Sequence, residues 1–441
     1  MRTDRSPLRP LARREFLRHV VAAGALPAIV SARALGRAPA TPAPSQRITL
    51  GAIGIGGMGR LDLSGFLQQP DVQVLAVCDV KAGNLKAAAE LVNGQYQNQD
   101  CATYRDWREL LARPDLDAIY CATPDHWHAL ISIAAARAGK DIYCQKPMSV
   151  TIAEGRAIAD AVNRYGIVYQ SGTQRRSQAN YRFCVETARS GRLGKLLYVM
   201  NRMGGSPGPA APPITAPPPD IDYDLWLGPA PWAPYSDTRV SGAFRFIYDY
   251  AGGSMTDMGA HYNDIVQMVR PSFRDAPVTF QVKQARFHES GIFDTAWGYE
   301  LVATYEDGLE IRMAEGDKGM RWVGTEGWID LADEGQLTAE PASLLKDIRL
   351  NTHWSVVAQH HRNWLDCVQT RARPVADAEV AHRSTTISHA ANIALRLRRG
   401  LLRWDRHAER FLDDDAANRM LARSLSVWDA PRYADHSDPV P

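Results

Sequence analysis

"RITLGAIGIGGMGRLDLSGFL", residues 47–67, decides the fold. Ile48 to Ile53 is a short continuous apolar run, the pattern of a strand buried in a parallel sheet. Gly54, Gly56 and Gly59 follow as G-x-G-x-x-G and lead into a helical pattern. The first glycine permits a tight turn, the second lets backbone approach a pyrophosphate, and the third allows close helix–strand packing. Free N–H groups and the dipole at the helix start favour phosphates. Met58 lies inside this loop and joins the glycines as an expected cofactor contact. "VQVLAVCDV", residues 72–80, reads as a second strand leading to Asp79, twenty residues after Gly59. A carboxylate there holds ribose hydroxyls and repels a 2′-phosphate, so the expected cofactor is NAD rather than NADP.

The alternation continues with "LDAIYCATP" (116–124) as strand and "HALISIAAARAGK" (128–140) as helix. "DIYCQKP" (141–147), "TIAEGRAIADAVNRYG" (151–166) and "IVYQSGTQRRS" (167–177) then read as strand, helix and strand. This argues a doubly wound parallel sheet, whose ligands bind beyond the carboxyl ends of the strands. The fingerprint glycines, Asp79, Thr123, Lys146 and Thr173 therefore face one rim. Lys146 sits where a central strand ends, and Pro147 restricts it toward extended backbone. A solvated surface lysine is the bland alternative; the upstream fingerprint favours a functional one.

These residues, with "ATPDHWH" (122–128), the K-P pair and "GGSMTDMGAHYNDI" (252–265), resemble the Gfo/Idh/MocA oxidoreductases over roughly residues 47–400. The resemblance implies an α/β protein: an N-terminal Rossmann domain, then an α/β domain with a largely antiparallel open sheet for substrate binding and oligomerisation. It implies that Thr123, Pro124, His128, Gln145 and Lys146 lie at the cofactor. Gln145 stands where the family's E-K-P motif has glutamate; an amide still hydrogen-bonds but brings no charge. It further implies a catalytic set of Lys146, Asp257 and His261, with His261 as general acid or base. Asp257 and His261 are four apart and share one face of a predicted helix. By chemistry alone such a pair is more often a structural hydrogen bond. Asp264, three residues on, is read as an orienting or substrate residue.

Substrate contacts are expected from Gln174, Arg175, Tyr248 and Asp264. Arg175 and Arg176 suit an anionic substituent or neighbouring acids. Aromatics and carboxylates interleave in "DYDLWLGPAPWAPY" (222–235) and "FRFIYDYAGG" (244–253), which suits a sugar, although core or interface roles fit nearly as well. Residues 205–220 are too proline-rich for a helix or central strand. "VTFQVKQARF", "WGYELVATYEDGLEIRMAEG" and "MRWVGTEGWIDLA" alternate as antiparallel strands, and "TTISHAANIALRLRRG" reads as a late helix.

The 441 residues carry 51 Lys and Arg against 49 Asp and Glu, so no global charge draws the chain to nucleic acid or membrane. No apolar stretch reaches membrane-spanning length. Arg13 and Arg14, followed by a short apolar run and Ala32-x-Ala34, resemble a twin-arginine export signal. This gives an expected layout of signal 1–34, linker 35–46, Rossmann domain 47–170, second domain 171–405 and tail 406–441. Six cysteines show no disulfide framework, and Cys78, Cys121 and Cys144 sit in apolar strands. No HExxH or complete histidine set points to a metal.

The expected protein is a periplasmic or otherwise exported homo-oligomer, carried folded by the twin-arginine translocase. It uses NAD(H), exchangeable or tightly held, to oxidise a hydroxyl of a sugar, glycoside or cyclitol. The alternatives are an NAD-dependent glycoside hydrolase and a non-catalytic sugar sensor.

Overall fold

The computed structural model describes residues 42–270, 272, 275–346 and 356–423. The expected signal, most of the linker and residues 424–441 of the expected tail lie outside them. Two compact units divide at Arg47. In the first, Pro44–Gln46 forms one 3-10 turn.

The second unit begins with a six-stranded sheet: β1 (Ile48–Ile53), β2 (Val72–Cys78), β3 (Ala102–Tyr104), β4 (Ala118–Cys121), β5 (Asp141–Cys144) and β6 (Tyr169–Ser171). Its order is β3-β2-β1-β4-β5-β6, with every pair parallel. The register aligns Cys78, Ile53, Cys121, Cys144 and Ser171 in one row across the sheet. One residue beyond that row stand Asp79, Gly54, Ala122, Gln145 and Gly172. Register, not sequence distance, therefore gathers the fingerprint, Thr123, Lys146 and Thr173 at one edge. Thr151 caps the helix Ile152–Tyr165 by accepting from Glu154 N, and Gly166, at φ 65°, ends it.

Nine strands make the second sheet. They are β7 (Leu196–Arg202), β8 (Thr279–Arg286), β9 (Gly298–Thr304), β10 (Glu310–Ala314), β11 (Gly319–Gly324), β12 (Gly327–Ala332), β13 (Leu337–Glu340), β14 (Leu402–Asp405) and β15 (Arg410–Leu412). The order is β13-β12-β11-β7-β10-β9-β8-β14-β15, antiparallel except for β7 with β10. The helices Ser254–Val269 and Ala378–Leu397 share one apolar core with it, around Tyr262, Ile265, Leu301, Ile311, Trp322 and Ile387.

Two expected boundaries are corrected. The Rossmann core does not close at residue 170: Trp364, Leu365, Cys367 and Val368 of helix Val356–Thr370 pack with Leu50, Phe66 and Val74. Nor does the second sheet end at 405, because β15 pairs with β14. The turn joining them is polar, and Phe411 of β15 is buried edge-on against Trp404 of β14.

Arg156 ties the parts together. Its guanidinium donates to both oxygens of Glu379 (2.8 and 3.0 Å) and both of Glu409 (2.7 and 3.1 Å). Burial alone would raise the Glu379 carboxyl, but Arg156 and Arg383 outweigh it and bring it down to about 2. Glu409 is lowered too. A carboxyl depressed in the fold stabilises it above its unfolded value near 4.5 and loses that contribution as pH falls. Stability should therefore drop between about pH 4.5 and 2, by on the order of 2 kcal/mol for Glu379, which water partly screens. Thermal melts of the native protein and Arg156→Met over that range test this, and the variant should show a shallower dependence.

Candidate active site

A groove of about 460 Å³ lies along the rim, lined by Gly54, Gly56, Met58, Asp79, Lys81, Thr123, Pro124, Trp127, Trp226 and Arg245. Gly54 is at φ 81°, and a Cβ there would stand 2.5 Å from Thr123 N. A Cβ on Gly56 or Gly57 meets nothing within 4 Å. Backbone N–H groups at the start of helix Gly57–Leu67 are thus open to a ligand. The Asp79 carboxylate accepts from Ile55 N (2.7 Å), Lys81 N (2.8 Å) and Asn84 Nδ2 (3.3 Å). Burial raises its pKa, and those N–H donors oppose the rise. The carboxylate is anchored at the groove with one lone pair to spare, so the residues present fit a dinucleotide with a free ribose 2′-hydroxyl.

Residues 220–245 strap over this groove. Ala82 N donates to Asp220 O (2.8 Å), Asp222 N to Val80 O (3.0 Å), and Lys81 Nζ to Val240 O (2.9 Å). At the other wall Trp127 Nε1 donates to Leu225 O (3.0 Å), and His126 Nε2 lies 2.9 Å from Trp226 O. Gly228 lies against Trp127: a Cβ there would stand 2.0 Å from the indole. No spacing rule signals this strap; only the aromatic density of residues 222–235 hinted at it.

Lys146 Nζ donates to Asp257 Oδ1 at 2.5 Å and to Asp257 O at 3.0 Å. Arg245 Nε reaches the same Oδ1 at 3.4 Å, linking the pair to the groove. Burial would raise the Asp257 carboxyl, but Lys146 and Arg245 outweigh it and hold it at about 2. One turn on, His261 is 4 % exposed. Its Nδ1 is buried without a partner. Burial first, then Lys146 and Arg175, depress its pKa well below 6.5, so the ring is neutral. A neutral imidazole beside an ammonium can take a proton from a hydroxyl held between them. No sequence signal marks Asp125 as a site residue. It is buried, and burial pushes its carboxyl up to about 7 against the pull of Arg245 and Lys146.

Other expected roles change. Asp264 is fully buried, accepting from Arg176 (2.6 and 2.9 Å) and Ser384 Oγ (2.8 Å), so its oxygens serve the core instead of a substrate. Arg175 is spent on Asp333 at 2.6 Å and lies over the rings of Tyr181 and Tyr262. Its Nε and Gln174 Oε1 are buried without partners. Tyr248 carries Arg396 over its ring at 3.8 Å. His128 is buried, with Nδ1 2.7 Å from Pro147 O and Nε2 2.9 Å from Thr123 O. It ties two rim loops together instead of facing the groove. Cys121, His128 and Cys144 bring ligand atoms within 4.8 Å of one another, yet both His128 nitrogens already face carbonyls. Gln145 also points inward, to Asp62. All six cysteines are free. A larger cavity of about 550 Å³, around Val162, Arg371 and Arg383, contains none of the expected site residues.

Residues 48–173 match the family model described as oxidoreductase family, NAD-binding Rossmann fold, and residues 208–429 match its C-terminal alpha/beta domain. A glycosyl hydrolase family 109 protein of Saccharopolyspora erythraea is 33 % identical over 170 residues, 35 % of this chain and 37 % of that one. Myo-inositol 2-dehydrogenase of Thermotoga maritima is 26 % identical over 167 residues, 37 % of this chain and 47 % of that one. The chain thus spans less than half the length of these curated relatives. Among solved structures, the WlbA dehydrogenase of Bordetella pertussis, in complex with NADH and UDP-GlcNAcA, superposes with TM-score 0.62 at 14 % identity, covering 81 % of this chain and 99 % of that one. At that identity the likeness concerns the fold. Matched along both its halves, the chain belongs to the Gfo/Idh/MocA oxidoreductase family.

Proposed function

We propose that this protein is an NAD(H)-using oxidoreductase acting on a hydroxyl of a sugar, glycoside or cyclitol. The observation that carries the reading is the 2.5 Å contact between Lys146, at the end of β5, and Asp257, on the helix that bears the unpartnered His261. When bound, NAD supplies a hydride acceptor. Lys146 stabilises the developing alkoxide, and His261 accepts the hydroxyl proton. Asp257 orients the lysine and holds its charge in place. Retention of this set argues against a purely sensing role.

The strap that residues 220–245 form over the groove favours a second reading, in which the cofactor is kept through turnover. Transient oxidation, elimination of an aglycone, addition of water to the resulting enone and re-reduction would then give net hydrolysis, and the family 109 relative supports that variant. Export on the twin-arginine route and assembly into a homo-oligomer belong to the same proposal. The test is to purify the protein, quantify bound NAD(H), and supply candidate glycosides with no added cofactor. Released aglycone supports hydrolysis, and a ketosugar supports oxidation. Neither product across sugars, glycosides and cyclitols, even with NAD added, would sink both.

Asp79 sets a further expectation. NAD should bind at least tenfold tighter than NADP, because a 2′-phosphate would meet a buried carboxylate. Comparable dissociation constants by titration calorimetry would refute the cofactor assignment.

A further inference from the structure

Gln145 follows the last residue of β5 and precedes the lysine. It is 4 % exposed. Its amide nitrogen donates to Asp62 Oδ2 at 2.6 Å, and its Oε1 accepts from Lys146 N at 3.3 Å. Asp62 is fully buried on the inner face of helix Gly57–Leu67. Its other oxygen, Oδ1, lies 3.1 Å from Nε2 of His361, which is also fully buried. The His361 ring stacks on Phe66 at 3.9 Å, and its Nδ1 has no partner, so its proton belongs on Nε2, facing the carboxylate. Gly172 closes the other side: a Cβ there would stand 2.8 Å from the Gln145 amide. The side chain at 145 thus has one orientation, fixed by three segments far apart in sequence.

The pattern of one donor and one acceptor fits an amide at 145 and does not fit an ionised carboxylate. Asp62 offers acceptors, so its neighbour must donate. A glutamate at 145 would set two carboxylates about as far apart as the present 2.6 Å bond. Two such carboxylates repel when both are ionised, which raises the pKa of one of them, so they bond to each other only once the pair has taken up one proton.

We propose that Asp62 is a positioning residue for Lys146, acting through Gln145 and held by His361, and that the charge at 62 and the amide at 145 form one matched pair. Asp62 fixes Gln145, Gln145 fixes the Lys146 main chain, and the ammonium is thereby held against Asp257. The proposal rests on the reading of Lys146 as the alkoxide-stabilising group. Among the described residues, the titratable groups that face Asp62 include, besides His361, the buried phenols of Tyr120 and Tyr143 on β4 and β5, and burial raises both well above their ordinary value and keeps them neutral.

The test is a charge exchange. Gln145→Glu, Asp62→Asn, the double variant and Lys146→Met are compared with the native protein. The readouts are bound NAD, melting temperature, and single-turnover hydride transfer from pH 5.5 to 8.5. Gln145→Glu should lose tenfold or more of kcat at pH 8, with bound NAD unchanged. It should recover as pH falls and the shared proton is supplied. In the double variant the carboxylate introduced at 145 accepts from an asparagine amide at 62. Turnover should then return to within about threefold of native and show no recovery in acid. A purely packing role would not produce that reversal of pH dependence. If Gln145→Glu fails to fold, a double variant that folds with native melting temperature supports the pair. A double variant no better than Gln145→Glu, or a pH-independent loss in the single, overturns it. Lys146→Met with near-native turnover would instead overturn the reading of the lysine itself.

Discussion

Lys146→Met should lower turnover by about 10² or more while leaving bound NAD nearly unchanged. The substitution removes the ammonium but keeps much of the apolar stem. The side chain lies at the end of β5 and meets Asp257, whereas the phosphate loop is on the other side of β4. His261→Ala should act likewise through lost proton transfer, worth roughly 10²–10⁴. The two act as one unit, so the double variant should be little worse than the poorer single. Single-turnover nicotinamide absorbance, with bound NAD quantified in each protein, reads the result. Near-normal hydride transfer in either single variant, or losses that merely track lost NAD, would defeat the assignment.

Gly59→Ala should cost both stability and cofactor binding. Helix propensity alone would favour alanine over glycine by about 1 kcal/mol. Sterics oppose it: the new Cβ would stand 2.0 Å from Gly54 O and 2.8 Å from Tyr120 Oη. The first contact is backbone and cannot swing away. Tyr120 is fully buried and donates to Gly59 O, so it has no room to move. Overpacking of this kind typically costs about 1–3 kcal/mol, and relieving it must shift the phosphate loop. We expect a lower melting temperature and NAD affinity reduced by tenfold or more. Gly57→Ala is the control for stability, because its Cβ meets nothing within 4 Å and it opens the helix. Equal melting temperatures and NAD affinities for native and Gly59→Ala would remove the close-approach argument.

The sequence by itself determined the Rossmann half. A buried parallel strand must be continuously apolar, and a phosphate loop must carry glycine where backbone approaches backbone; both rules are local and leave their marks in residues 47–67. It also set Asp257 and His261 on one helical face, since a four-residue spacing is a property of the helix alone. The tertiary structure decided which partner each polar group found. Asp264 has the same local credentials as Asp257, yet Arg176 and Ser384 occupy it while Lys146 takes Asp257. Gln145 looks like a cofactor ligand from its place before the lysine, yet Asp62 and Gly172 turn it inward. The strap of residues 220–245 leaves no periodic signal, and the apolar face of helix Val356–Thr370 does not say which sheet it will cover. Hydrogen bonds and packing between segments hundreds of residues apart depend on where the chain crosses itself, and that is fixed only when the whole core closes.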